Sequence, residues 1–408
     1  MRRGEAPTID LELRTHSLDL NWFHPQIGRW TGKLGVQGMI QKNDNLPGTN
    51  TVPFIPNYDQ ERVGVYLIET YEWGDHNLLE FGLRYDYMDS YIVGREPDNT
   101  IFRNDLTYQN FSSTIGFKTS LFDHHTFRSN FGTAWRAPNV AELYRFGQHS
   151  FVLEYGLWRY TIDDRFDFVV TTEGILDETD RPVDPEVGYK WINTYEIHKD
   201  HFRTEITGYV NYIENFFMTQ PGGFTRTPRG VFIYYINDQA DALFWGVDAS
   251  AEWDHHRFFT SQLKGSYLWA IQLDNNDFFV EQPPANIQYQ LSYKPKVKGL
   301  ENFRLLANVN YTFEQFQHPR ILSFNEFLTA FQQDINRFTD DAKDFDIIPP
   351  PKGYLLTNLS LFGSWKYFDF QVSVNNLFNT SYRSYTDRLR YFADGVGRNF
   401  MVKGTFQF

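Results

Sequence analysis

Residues 397–408 read GRNFMVKGTFQF. Phe400, Val402, Gly404, Phe406 and Phe408 fall on one face of an extended strand, while Asn399, Met401, Lys403, Thr405 and Gln407 fall on the other, because successive side chains alternate. The stretch stops on an aromatic residue. Such a two-faced strand suits the wall of a transmembrane β-barrel, whose outer face meets lipid and whose inner face meets water, with no backbone edge left open in hydrocarbon. Taken alone, the segment also fits an edge strand of a soluble sandwich or propeller.

Composition favours the barrel. Aromatic residues make up 18% of the 408-residue chain, yet mean hydropathy is −0.50. Those figures conflict for a helical membrane protein, and no stretch approaches the ~18 uncharged apolar residues that a membrane helix needs. They agree for a barrel, whose strands are half polar and whose interfaces carry aromatic girdles. Cys is absent, which removes disulfides, thiolate metal sites and cysteine nucleophiles. A formal net charge of −13 argues against nucleic acid as a partner. The opening residues MRRGEAPTIDLEL contain no apolar core of a signal peptide, so none is expected within the chain.

Alternation and β-rich composition predict about fifteen strands. They cover residues 9–22, 29–41, 61–73, 77–91, 107–121, 124–137, 189–199, 201–217, 230–254, 256–271, 285–295, 302–316, 353–365, 367–378 and 397–408. In 77–91, Leu79, Phe81, Leu83, Tyr85 and Tyr87 share one face, and Glu80, Gly82, Arg84 and Asp86 the other. The connections then alternate in length. Long ones are 42–60, 92–106, 138–188, 218–229, 272–284, 317–352 and 379–396; short ones lie around 23–28, 74–76, 122–123, 200, 255, 296–301 and 366. Short periplasmic turns against long outside loops are the asymmetry of outer-membrane barrels, and place the C-terminus on the periplasmic side. An odd count is at variance with the even strand numbers of bacterial barrels, so strands preceding residue 9 are expected to be absent, or the count to be off by one. The whole of 1–408 is expected to be one partial barrel domain. Ser323 and Glu326 have capping-box spacing, and Phe324, Phe327, Leu328, Phe331, Ile335 and Phe338 follow at helical intervals, which predicts a helix over 324–339.

Several segments resemble one family. WRAPNVAELY at 135–144, VNNLFNTSY at 374–382 and the closing GRNFMVKGTFQF are similar to motifs of TonB-dependent outer-membrane receptors. ERVGVYLIETYEW followed by LLEFGLRYDYM resembles a mid-barrel hairpin of the same family. The resemblance implies active import of a scarce nutrient, through a barrel of about twenty-two strands filled by a plug. It also implies contact with the TonB complex through an N-terminal region. Plug, coupling segment and about seven strands are not seen here, so the expectation is a C-terminal receptor portion. The alternatives are a passive pore or a decayed fragment. Outer-membrane lipid, the barrel-assembly machinery and a small-molecule or metal cargo are the expected partners, with no cofactor. Phe400, Val402, Phe406 and Phe408 are expected to form the assembly signal. VPFIPNYDQERVGVYLIETYEW at 52–73, AELYRFGQHSFVLEYG at 141–156 and FIYYINDQADALFWGVDASAEW at 232–253 resemble a zinc-uptake branch. The cargo class implied is a metal ion or chelate: zinc, siderophore-iron or haem.

Candidate site residues lie in the 138–188 loop. The family motif places Glu142 and Tyr144 near the outer mouth, touching cargo or ordering the loop. His149 and Glu154 carry an imidazole and a carboxylate suited to zinc, against a reading as solvated loop residues. The pairs His124–His125 and His255–His256, and His198 with His201, read as turn surface, because adjacent strand residues point to opposite faces. Asp340, Asp341, Asp344 and Asp346 read as a solvated charge run, or as a collector of cations. Trp22, Trp30, Trp73 and Trp365 read as an interface belt. No G-x-S-x-G elbow, H-E-x-x-H or P-loop is present. A soluble two-carboxylate glycosidase is the enzyme-class rival, and it requires neither sorted loops nor an aromatic terminus.

Overall fold

The computed structural model describes residues 9–49, 52–74, 76–96, 98–149, 152–163, 166–170, 179–227, 230–326, 328 and 345–408. Fifteen long strands form one antiparallel wall. They are β1 (Leu11–Phe23), β2 (Trp30–Asn45), β3 (Asn57–Trp73), β4 (Asn77–Arg95), β5 (Ile101–Phe122), β6 (His125–Arg136), β7 (Glu186–Lys199), β8 (Phe202–Thr227), β9 (Gly230–His256), β10 (Phe259–Gln272), β11 (Asn286–Tyr293), β12 (Glu301–Thr312), β13 (Tyr354–Trp365), β14 (Phe368–Asn375) and β15 (Asn399–Phe406). Each pairs with the next in chain order.

The outward face is apolar because it is solvated by lipid. Val63, Val65 and Leu67 of β3 lie beside Leu83 of β4, and all four are exposed. The inward face is polar and hydrogen-bonded. Arg84 clamps Asp86 with Nε and Nη2, both at 2.6 Å, and gives Nη1 to Gln37 at 2.7 Å. Aromatic pairs ring the short-turn end: Trp30 with Tyr71 at 4.9 Å, Trp73 with Phe117 at 6.1 Å and Phe259 with Tyr293 at 4.5 Å. A second ring lies higher, with Trp245 against Tyr267 at 5.6 Å. On β9 the exposed Trp253 and Trp245 mark the two levels. At the rise of a β-strand they are about 27 Å apart along the chain, close to the ~25 Å apolar band of an outer-membrane barrel.

Two connections differ from expectation. Strands β4 and β5 stay paired up to Arg95 and Ile101, leaving 96–100 where 92–106 was expected to be loop. Strands β8 and β9 stay paired up to Thr227 and Gly230 where 218–229 was expected, with bulges between Ile213 and Phe216 and between Pro221 and Gly223. Beyond the lipid there is no apolar-out, polar-in contrast, so the alternation that marks a strand in sequence fades. The inner face of the tall β4–β5 hairpin is instead apolar: Met88, Ile92 and Leu106 are buried against Val140, Leu143 and Trp158 of the 137–185 connection. The expected 324–339 helix lies mostly outside the described residues; its first turn is present, with Ser323 N donating to Glu326 Oε2 at 2.8 Å and Glu326 N to Ser323 Oγ at 3.2 Å.

Among the described residues, β1 pairs only with β2, and β15 only with β14. Strand β1 runs down into the short turn at 24–29, and β15 comes down from the long connection at 376–398. The two edges therefore point the same way. Joining them directly would make one parallel seam in an otherwise antiparallel wall, whereas an odd number of intervening strands keeps the ladder antiparallel.

A loop-built site at the outer mouth

The long connection after β6 opens with a one-turn helix, α1 (Val140–Tyr144). Asn139 caps it, its Oδ1 accepting from Ala141 N at 2.8 Å, while its own N donates to Glu142 Oε2 at 2.8 Å. Arg136 Nη1 also reaches Glu142 at 2.7 Å, and its Nε reaches Glu186 at 2.7 Å. Glu142 is thus held by a cap and an ion pair. Tyr144 is 0% exposed. Its ring stacks on Phe102 at 5.4 Å, and its hydroxyl accepts from Asn104 Nδ2 at 2.8 Å. Both residues make these contacts to the loop and to the strands that support it.

Residues 146–149 and 152–155 form a small hairpin whose second strand pairs in parallel with β9. The backbone of His149 lies in this hairpin, opposite Val152; its side chain lies outside the described set. Glu154 accepts from Arg145 Nη1 at 2.7 Å and from Arg388 Nη1 at 2.6 Å. A cation at Glu154 would first have to displace two guanidinium groups. Among the described residues, no group of three or more His, Asp or Glu is arranged to hold a metal ion.

Arg388 also gives Nε to Glu281 Oε2 at 3.1 Å and lies 4.6 Å above the Tyr235 ring. Burial pushes the Glu281 carboxyl above its usual range, with Arg388 partly offsetting it. Burial would lower Arg388, but Glu281 and Glu154 hold its charge in place and raise it. Glu281 has φ of 64°, a left-handed backbone uncommon for a side chain of this kind. Nearby, Arg390 Nη2 donates to Asp346 Oδ2 at 2.6 Å, and the Tyr391 hydroxyl to Asp346 Oδ1 at 2.7 Å. Both Arg390 and Asp346 are buried, so the solvated-run reading fails at Asp346; Asp340, Asp341 and Asp344 lie outside the described residues. These contacts tie the connections at 137–185, 273–285, 313–353 and 376–398 together over the mouth.

Of the histidines read as turn surface, His124 closes the turn after β5 with φ of 69°, and His255 bonds Ser261 Oγ at 2.6 Å beside the turn after β9. Reading the sequence did not single out Arg145, Glu281, Arg388 or Arg390. Arg388 and Glu154 lie 234 positions apart, and no local pattern reports such a pair.

A two-faced wall with aromatic rings at two levels and a loop-built mouth defines an outer-membrane β-barrel. Residues 7–377 match the family described as TonB dependent receptor-like, beta-barrel, and the chain belongs to that family. Its members are receptors and transporters rather than enzymes. Similar solved structures include the copper transporter OprC, with TM-score 0.70 and 15% identity, covering 98% of this chain and 57% of that one. The FrpB iron transporter from Neisseria meningitidis (F3-3 variant) has TM-score 0.64 and 14% identity over 97% of this chain and 55% of that one. The ferric citrate transporter FecA in unliganded form has TM-score 0.63 and 13% identity over 98% and 55%. The chain therefore spans a little over half the length of these proteins.

Proposed function

We propose that this chain is the C-terminal part of the barrel of a TonB-dependent importer whose cargo is a scarce metal ion or metal chelate. The observation that carries the reading is the ion-paired mouth: Arg145, Glu154, Arg388 and Glu281 bind outside connections to one another above the lumen. Partly buried charges are paired because an unpaired one is costly to desolvate, and loops tied in this way make a fixed rim at the mouth, the place where a cargo is first met. The similar structures, whose names speak of copper and iron transport and of ferric citrate, support the cargo class. The two unpaired edges support the partial-barrel reading, because an open edge is not tolerated in hydrocarbon. Coupling to TonB and a plug would then come from outside residues 1–408.

The test is metal accumulation by source cells grown under metal limitation, with the locus intact, deleted, or intact in a strain lacking TonB. Deletion and TonB loss should lower accumulation of the same metal equally. Accumulation unchanged by deletion would overturn the reading.

A further inference from the structure

We infer that the lumen carries a second site at its short-turn end, opposite the mouth, for a small multivalent anion bearing phosphates or carboxylates. Strand register sets its floor. Arg304 on β12 lies beside Phe362 on β13, Phe362 beside Gln371 on β14, and Gln371 beside Lys403 on β15. The adjoining row contains the exposed Leu305, Val372 and Val402 and faces lipid, so the row of Arg304 and Lys403 faces the lumen. One step nearer the turns, Asp369 lies beside Ser364 and Thr405. The connection 294–300 between β11 and β12 bounds the same space with Lys294 and Lys296, and encloses a cavity of about 920 Å³.

Charge defines the ligand class. The lining holds four cations, Lys294, Lys296, Arg304 and Lys403, against one carboxylate, Asp369. Asp369 Oδ2 already accepts from Gln407 Nε2 at 3.0 Å. Elsewhere on the inner wall, guanidinium groups are matched: Arg84 with Asp86 at 2.6 Å, Arg128 with Glu196, Arg136 with Glu186 at 2.7 Å and Arg203 with Glu252 at 3.7 Å. Among the described residues, none of the four cations in this cavity has such a partner. The chain as a whole has a formal net charge of −13, so this stretch of wall reverses its sign. Like charges gathered in one cavity repel, and a bound anion replaces that repulsion with attraction. The Arg304 guanidinium sits over the Phe362 ring at 4.4 Å, which holds it in place while its N–H fork can still reach two oxygens of one phosphate or carboxylate. The Ser364 and Thr405 hydroxyls line the same floor as further donors. A cation finds here only one carboxylate, already bonded.

The site goes beyond the importer reading, since it takes an anion whether or not that anion carries a metal. The experiment is equilibrium dialysis against the protein expressed from its own locus and purified in detergent from outer membranes. The probes are radiolabelled pyrophosphate and tricarballylate, with spermidine as the cationic comparison, each at low and at high salt. At least one anion should bind saturably, more tightly than spermidine and less tightly as salt rises. Tighter pyrophosphate binding assigns the site to phosphates, and tighter tricarballylate binding to carboxylates. Arg304→Gln and Lys296→Gln should each weaken binding about fivefold, the scale of one charge-assisted hydrogen bond. Lys298→Gln, on the same connection but outside the lining, should leave binding within about twofold. Heat-modifiable gel mobility establishes that each variant is folded, and Lys296 lies on an exposed connection whose change does not touch the wall. Absence of saturable binding by both anions, equal binding of spermidine, or an effect of Lys298→Gln as large as that of the two lining variants would overturn the inference. Anion binding in a protein whose deletion leaves metal accumulation unchanged would keep this site and fell the importer reading; a metal phenotype without anion binding would do the reverse.

Discussion

Arg388 lies between Glu154 and Glu281, 2.6 Å from one carboxylate and 3.1 Å from the other, and so bridges three outside connections with one side chain. A guanidinium suits this position because its planar fork presents several donors at fixed angles, where a lysine offers one compact ammonium.

Replacing Arg388 with Ala should therefore loosen loops rather than unfold the wall. Glu281 would lose its ion-pair partner and Glu154 one of its two, at a cost on the order of 2 kcal/mol. Hydrogen exchange over 273–285 and 376–398 should accelerate at least tenfold, while the amides of β2–β5 stay unchanged. Arg388→Lys should restore only part of the protection.

Glu281 brings a pH dependence with a definite sign. Its carboxyl is held above the ordinary 4.5 by burial. A group whose folded value is raised contributes stability that is fully present below the unfolded value and is lost as pH rises through the folded one. Proteolysis of the 273–285 loop should thus slow as pH falls through the window just above 4.5. Glu281→Gln should flatten that dependence. A dependence of equal size in the variant would place the titration elsewhere.

The Glu142 carboxylate accepts from the Asn139 amide and from Arg136. Glu142→Ala should cost about 1–2 kcal/mol of local stability through the lost cap and ion pair. Glu142→Gln should keep the capping contact and preserve metal accumulation within about twofold, whereas a direct ligand role would show a loss of tenfold or more.

The closing strand offers a separate test. Phe400, Val402 and Phe406 are exposed on the outward side of β15, and Phe408, two residues past its end, is exposed as well. Deleting Phe408 should reduce the amount of folded, heat-modifiable protein in the outer membrane several-fold. Unchanged levels would remove it from the assembly signal.

The wall was legible in the sequence because lipid imposes a rule on every residue that crosses it. Leu83 must face out and Arg84 in, and a period of two records that choice locally. All fifteen expected strands are present, and the sorted connection lengths located the mouth. Legibility ended where the lipid ended. Ile92 and Leu106 are buried by a loop rather than by lipid, so the β4–β5 and β8–β9 ladders ran on past their expected ends.

What the sequence determined by itself was the two-faced strand, the strand count and the side on which the loops gather, since each follows from neighbours a few residues apart. What only the tertiary structure decided was which charges meet. Arg388 finds Glu154 and Glu281, and Arg390 finds Asp346, through the curvature of the wall and the inward packing of its loops. Pairings across one or two hundred residues depend on where closed loops lie in space, and a linear pattern does not carry that distance.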